Sequence, residues 1–171
     1  MNIYVIVLRI LHIFAGMFWV GAAWMITFFI EPVSSALGPD AQKFMQRLMG
    51  QGRLSIYISV AALVNVLTGA LLYWKDSAGL SMAWMGTAVG TGFTVGAILG
   101  IVALIVGSAV TGPASARLAK LGSEIQAGGK PPTPDQLGAI QKVQARLKVS
   151  GRWSALLTGL ALLAMSIARY L

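Results

Sequence analysis

The chain has 171 residues, of which 57% are hydrophobic and 11% are charged, and its formal net charge is +8 at pH 7. Soluble domains carry about 25% charged residues, so this composition excludes an ordinary soluble protein, and the positive charge does not indicate nucleic-acid binding. The chain contains no cysteine, which excludes a disulfide framework and a thiolate metal site.

Four long apolar runs explain this composition. A bilayer core about 30 Å thick requires about 20 apolar residues per helix, and isolated strands cannot satisfy their backbone groups in lipid. The sequence therefore predicts an all-α protein, a polytopic transmembrane four-helix bundle in a single domain over residues 1–171. The predicted spans cover about 3–30, 54–74, 83–112 and 153–171, and short amphipathic cytoplasmic helices are predicted between them, above all in the connection 113–152.

Two ionisable residues, Arg9 and His12, interrupt the first span. At about 100° per residue, they share a narrow helical face with Gly16 and Trp19. His12 is the only histidine of the chain, and ionisable residues inside a span usually mark a functional site. This face is therefore the first candidate site, and Gly16 is expected to leave space beside the imidazole.

Three interpretations of His12 are open. In the first, His12 hydrogen-bonds a carbonyl or hydroxyl group of another helix, while Arg9 extends to the head groups. In the second, His12 ligates the iron of haem b and Arg9 pairs with a propionate. In the third, His12 belongs to a proton or ion path, although no second titratable residue is expected at its depth.

The first helix is predicted to end at Glu31 and Pro32, because a proline disfavours a helical residue before it and clashes with the preceding turn. A short amphipathic helix is predicted to follow from Pro39 to Met49, with Phe44 and Leu48 on one face.

Residues of the later spans at the depth of His12 complete the candidate site. Counting from the span boundaries places Asn65 of the second span and Gly92 of the third there, with Gly96 one turn deeper. These glycines indicate either close helix packing or a smooth wall for a flat macrocycle. Met165 of the fourth span is a candidate second axial ligand; the alternatives are five-coordinate iron and two His12 side chains meeting across a homodimer.

The long connection is predicted to contain two amphipathic helices around the breaker GGKPPTPD. Thr133 and Gln136 have the spacing of a capping box, with Pro134 at the first helical position, and this helix is predicted to continue through Gly151 into the last span. A basic residue followed by a Thr-Gly pair recurs in the second and fourth spans, as LTGALL and LTGLALL, which allows either a helix-pair repeat or coincidence.

Basic residues are concentrated in two connections. The first connection carries Lys43, Arg47 and Arg53, and the third carries Arg117, Lys120, Lys130, Lys142, Arg146, Lys148 and Arg152. By the positive-inside rule, both connections are cytoplasmic and both termini face out. We expect an integral protein of a bacterial inner membrane, in contact with the lipid bilayer and not with nucleic acid.

The stretch LHIFAGMFWVGAAWMITFFIEP of the first span resembles the opening helix of the HemJ-type protoporphyrinogen oxidases and of CopD-like copper-resistance domains. The matching positions are Leu11, His12, Trp19, Gly21 and Phe28. The likeness continues through QRLMGQGRL and the Thr-Gly pair of the second span, and it returns at RLKVSGRW before the last span.

The resemblance implies a four-helix membrane bundle in which His12 binds b-type haem. The HemJ-type proteins are expected to use a lysine of a later span as the other haem ligand, and the three later spans contain no lysine, so porphyrinogen oxidation does not carry over. Copper handling would depend on methionine thioethers, for which the candidates are Met17, Met25, Met82, Met85 and Met165.

The sequence thus predicts a haem-binding membrane protein with a redox or electron-transfer role in the outer half of the membrane, which includes a haem-dependent oxidoreductase. Its predicted cofactor-binding residues are Arg9, His12, Gly16, Trp19, Asn65, Gly92 and Gly96, with His12 and Met165 as candidate metal ligands. The alternative is a non-catalytic accessory or assembly subunit, docked in a larger membrane complex through its glycine-rich third span.

Overall fold

The computed structural model describes residues 2–37, 44–45, 47–51, 53–129 and 131–171. This part of the chain contains four helices that are long and apolar enough to cross a membrane: Ile3–Leu37, Leu54–Asp76, Ala88–Gly128 and Pro134–Tyr170. The all-α class and the four spans are confirmed, and the chain is an integral membrane protein. The helix predicted from Pro39 to Met49 lies mostly outside the described residues.

The first span is built from three consecutive helical segments, and the second span is a single helix. The first span is continuous and consists of α1 (Ile3–Met25), a π-helical segment (Ile26–Ile30) and α2 (Glu31–Leu37). The second span is α3 (Leu54–Asp76), which follows a π-helical turn at Arg47–Gln51.

The last two spans extend well beyond the bilayer core. The third span follows the short helix α4 (Met82–Met85) and consists of α5 (Ala88–Val106), a further π-helical segment (Gly107–Thr111) and α6 (Gly112–Gly128). The fourth span is α7 (Pro134–Ile167) with a terminal 3₁₀ turn (Ala168–Tyr170).

The four spans form a bundle of two closely packed helix pairs. Helix α1 packs along α3, and α5 packs along α7, while contacts between α3 and α5 and between α1 and α7 join the pairs. Trp19, Ala62 and Ala103 are buried together in the core, where the alanines allow the helices to approach closely. We call the end with Asn2 and Leu171 the terminal end, and the opposite end, with the charged connections, the basic end.

The prediction that the first helix ends at Glu31 and Pro32 is wrong, since the helix continues to Leu37. Proline removes one helical hydrogen bond and crowds the preceding turn. Membrane helices tolerate this where a local π-helical adjustment satisfies the backbone groups again. The π-helical segment Ile26–Ile30 lies directly before Glu31 and Pro32 and makes this adjustment.

The same arrangement recurs in the third span. In each case five π-helical residues are followed by one residue and then a proline: Ile26–Ile30 with Pro32, and Gly107–Thr111 with Pro113. The first and third spans therefore share a local geometry, just as the second and fourth share a Thr-Gly pair. Both correspondences agree with a helix-pair repeat.

The long connection folds as predicted around its capping box. The N–H group of Thr133 donates to the side-chain oxygen of Gln136 at 2.9 Å, and the N–H group of Gln136 donates to the Thr133 hydroxyl at 3.3 Å. Helix α7 starts at Pro134 and continues through Gly151 into the last span. Helix α6 packs against it.

Candidate functional site

The imidazole of His12 connects α1 to α3. Nδ1 of His12 lies 2.8 Å from the main-chain oxygen of Asn65. A carbonyl oxygen can only accept, so Nδ1 carries the proton in this contact. In the opposite direction, the side-chain amide of Asn65 donates to the main-chain oxygen of His12 at 2.7 Å. Two reciprocal hydrogen bonds therefore fix the histidine against the second span.

This tautomer leaves Nε2 of His12 with its lone pair free. Nε2 has no hydrogen-bond partner among the described residues. Nε2 is not completely enclosed either, because the described part of the chain has no fully buried side-chain nitrogen or oxygen that lacks a partner. His12 as a whole is half-buried.

Two glycines make this contact possible. A Cβ atom on Gly69 would lie 2.8 Å from Cε1 of His12, and a Cβ atom on Gly16 would lie 2.6 Å from the side-chain nitrogen of Asn65. The space that Gly16 was expected to leave beside the imidazole is therefore occupied by the Asn65 amide. Gly69, which the sequence did not single out for the site, provides the space for the imidazole itself.

The contact of His12 with α3 has a close counterpart in the contact of Trp24 with α7. Nε1 of Trp24 donates to the main-chain oxygen of Ala155 at 3.0 Å. A Cβ atom on Gly159 would lie 2.8 Å from Cζ2 of the same indole. The hydroxyl of Thr158 donates to the Ser154 oxygen at 2.8 Å and also lies 3.2 Å from the Ala155 oxygen.

We use the term Thr-Gly notch for this arrangement, in which a helical carbonyl is followed by threonine three residues later and by glycine four residues later. One notch is Asn65, Thr68 and Gly69, and the other is Ala155, Thr158 and Gly159. In the first notch the Thr68 hydroxyl donates to the Val64 oxygen at 2.6 Å and also lies 3.1 Å from the Asn65 oxygen, which repeats the second. Each notch accepts one aromatic N–H group from the first span.

The two notches differ in whether the aromatic side chain that they accept has a second nitrogen atom. Indole has a single nitrogen, which is only a donor, so Trp24 joins two helices and cannot bind a metal. Imidazole in the other notch joins two helices in the same manner and has a second nitrogen left over. The free Nε2 is therefore the feature that distinguishes His12 from a purely structural contact.

Arg9 lies one turn closer to the terminal end and pairs with a carboxylate of the second span. Its guanidinium is 3.8 Å from the carboxylate of Asp76, and the two side chains are 45% and 40% exposed. Exposed ion pairs of this kind contribute little to stability, so replacing the Asp76 carboxylate by another anion at the guanidinium would cost little free energy. Asp76 was not among the predicted site residues.

The other predicted residues lie elsewhere in the bundle. Gly92 and Gly96 face the last span, since Cβ atoms there would lie 2.8 Å from Cβ of Ala168 and 2.6 Å from Cγ of Met165. These two glycines and Met165 therefore pack against one another, and Gly92 and Gly96 allow a close approach of α5 and α7. Trp19 is buried in the core.

His12 fits the role of a haem ligand, but the glycines predicted to form the pocket wall do not leave room for haem. Metal-ligating histidines usually donate their other ring N–H to a carbonyl or carboxylate, and His12 has this arrangement with Asn65. The wall that the sequence predicted does not fit, because Gly16 is filled by the Asn65 amide, whereas Gly92 and Gly96 are covered by the last span. His12 alone meets the requirement for a haem ligand.

Two of the residues that the sequence did not single out for the site, Thr68 and Gly69, had one detectable signal. Thr68 and Gly69 belong to the LTG motif that recurs as Thr158 and Gly159. The repeated motif marked both notches, but the sequence did not indicate which aromatic side chain each would accept. Comparisons of the chain with family models, with curated proteins and with solved structures found no match, and no family is identified.

Proposed function

We propose that this integral membrane protein binds b-type haem through Nε2 of His12 and takes part in a redox or electron-transfer step in the outer half of the membrane. The supporting observation is the hydrogen bond from Nδ1 of His12 to the Asn65 oxygen, which leaves a free lone pair on Nε2. Bound haem would supply one-electron redox chemistry.

The chain's own residues supply the position of the ligand in this proposal. Asn65 holds the imidazole in one tautomer, and Gly69 lets the ring lie close to α3. A ligand nitrogen held in this manner is preorganised, which removes the cost of choosing a tautomer when iron binds. Arg9, one turn away, would exchange Asp76 for a propionate.

The experiment is an ultraviolet–visible spectrum of the detergent-purified protein from cells supplied with haem, as isolated and after dithionite. We expect a Soret band with α and β bands on reduction, and their loss in His12→Gln. The matched control is Trp24→Phe, which alters the equivalent contact in the other Thr-Gly notch and should keep the bands. A featureless wild-type spectrum, or bands that persist in His12→Gln, would contradict the proposal.

The accessory-subunit alternative has one observation in its favour. Gly92 and Gly96 are covered, but a Cβ atom on Gly100 or Gly107 would have no neighbour within 4 Å. This part of the third span therefore presents small residues that no described part of the chain covers. The alternative predicts a stoichiometric membrane partner that Gly100→Leu releases during purification in mild detergent, while the Gly100→Ala protein retains it.

A further inference from the structure

A shallow groove of about 530 Å³ lies at the terminal end, between the start of α1 and the end of α3. It shares no residue with the His12 contact. Its lining consists of Tyr4, Leu71, Trp74, Lys75, Ala78 and Gly79. The groove therefore combines an apolar wall with one cation and two aromatic side chains that carry a donor.

None of the polar groups of this groove is used within the described part of the chain. The ammonium of Lys75, the hydroxyl of Tyr4 and the indole N–H of Trp74 make no hydrogen bond or ion pair with any described residue. Tyr4 and Trp74 are 54% and 58% exposed. All three groups donate hydrogen bonds, and none is a carboxylate.

The nearest carboxylate in sequence does not neutralise Lys75. Asp76 follows Lys75 directly in the chain, but its carboxylate pairs with Arg9 at 3.8 Å. The groove therefore retains one uncompensated positive charge beside two neutral donors. This charge favours an anion.

The floor of the groove is a turn that the surrounding residues hold in place. Ala78, Gly79 and Leu80 all have positive φ values, of 49°, 81° and 69°, which cost energy for residues with a Cβ atom. The side chain of Ser77 is fully buried and accepts from the N–H group of Leu80 at 2.9 Å. A conformation of this kind persists only where its surroundings determine it.

We propose that this groove binds the head group of an anionic phospholipid. Lys75 pairs with the phosphate, Tyr4 and Trp74 donate hydrogen bonds to its oxygens, and the acyl chain lies along Leu71. Lysine, tyrosine and tryptophan are the side chains that anchor at the boundary between hydrocarbon and water. The apolar wall distinguishes a lipid from a free phosphate ion, which would use only the three donors.

The experiment measures thermal unfolding of the full chain in a neutral detergent during titration with phosphatidylglycerol. We expect a saturable rise of the unfolding temperature, because a ligand that binds the folded state stabilises it. In Lys75→Met the half-saturating lipid concentration should rise by about tenfold or more, since a charge-assisted hydrogen bond is lost. The matched control, Lys142→Met, removes an exposed lysine at the basic end and should titrate like wild type.

Further arms separate the sources of the phosphate group. Phosphatidylcholine and inorganic phosphate should leave the unfolding temperature of wild type unchanged at the same concentrations. Tyr4→Phe combined with Trp74→Phe keeps the charge and should give a smaller weakening, which tests the groove if Lys75→Met does not fold. The proposal is overturned by equal titrations of Lys75→Met and Lys142→Met, by the absence of a rise in wild type, or by an equal effect of inorganic phosphate.

Discussion

His12 is attached to the second span through both its ring and its backbone. Asn65 accepts from the ring with its main-chain oxygen and donates to the His12 main chain with its side-chain amide. Hydrogen bonds between membrane helices contribute about 0.6 to 2 kcal/mol each, so this pair stabilises the packing of α1 on α3 and also selects the tautomer. One side chain thus has a structural role at Nδ1 and is free for chemistry at Nε2.

A substitution of Gly69, which lies beneath the imidazole, tests the position of the His12 ring. In Gly69→Ala the new methyl group would lie 2.8 Å from Cε1 of His12, and the ring must move away from the Asn65 oxygen. Overpacking costs about 1 to 3 kcal/mol, so we expect a lower unfolding temperature in detergent. The bands of any bound haem should weaken at the same time.

A glycine in open space provides the control. A Cβ atom on Gly100 would have no neighbour within 4 Å, and alanine favours a helix over glycine, so Gly100→Ala should keep the spectrum and should not lower the unfolding temperature. Equal behaviour of Gly69→Ala and Gly100→Ala would show that the imidazole does not lie against Gly69.

Helix α1 is the element that contacts both Thr-Gly notches. Its terminal half contacts the notch of α3 through His12, and its basic half contacts the notch of α7 through Trp24. The π-helical segment then follows and packs against α7, where Thr27 is buried beside Gly151. The first span therefore joins the two helix pairs at several levels.

A substitution of Trp24 tests how the second notch attaches α1 to α7. Trp24→Phe keeps an aromatic ring over Gly159 but loses the hydrogen bond to the Ala155 oxygen. The Thr158 hydroxyl stays 3.2 Å from that oxygen, although its shorter hydrogen bond goes to the Ser154 oxygen. The lost hydrogen bond should cost about 1 kcal/mol, visible as a lower unfolding temperature.

Another tryptophan of the fourth span serves as the control for this prediction. Trp153 is 55% exposed, and its indole makes no hydrogen bond with a described residue. Trp153→Phe should unfold at the wild-type temperature. A larger loss in Trp153→Phe than in Trp24→Phe would contradict the contact of Trp24 with the second Thr-Gly notch.

For the molecule as a whole, length and hydropathy were sufficient to predict the four spans, because the bilayer fixes how many apolar residues a helix needs. Depth was predictable too, and Asn65 lies opposite His12 as expected. Depth does not determine which neighbour a helix face meets, and for this reason Gly92 and Gly96 face the last span rather than His12. The helix continues through Pro32 because of a π-helical segment, which no pattern in the sequence predicted.

The orientation of the bundle follows from the distribution of basic residues and is still a prediction. Because the chain has no cysteine, single cysteines report accessibility without a background. Asn2→Cys, at the terminal end, should react with a membrane-impermeant maleimide in intact cells. Ser123→Cys, exposed on α6, should react only after the membrane is permeabilised, and the reverse pattern would contradict the positive-inside assignment.

The measurement that tests the role of His12 most directly is ¹⁵N NMR of the full chain labelled only at histidine. Since the chain contains one histidine, the two side-chain nitrogen signals need no mutational assignment, and their couplings to the ring protons identify each nitrogen. We predict a directly bonded proton on Nδ1 and none on Nε2, with the Nε2 signal shifting or broadening when haem is added. A proton on Nε2 together with an unprotonated Nδ1 would contradict the account, because the nitrogen proposed as the ligand would then have no free lone pair.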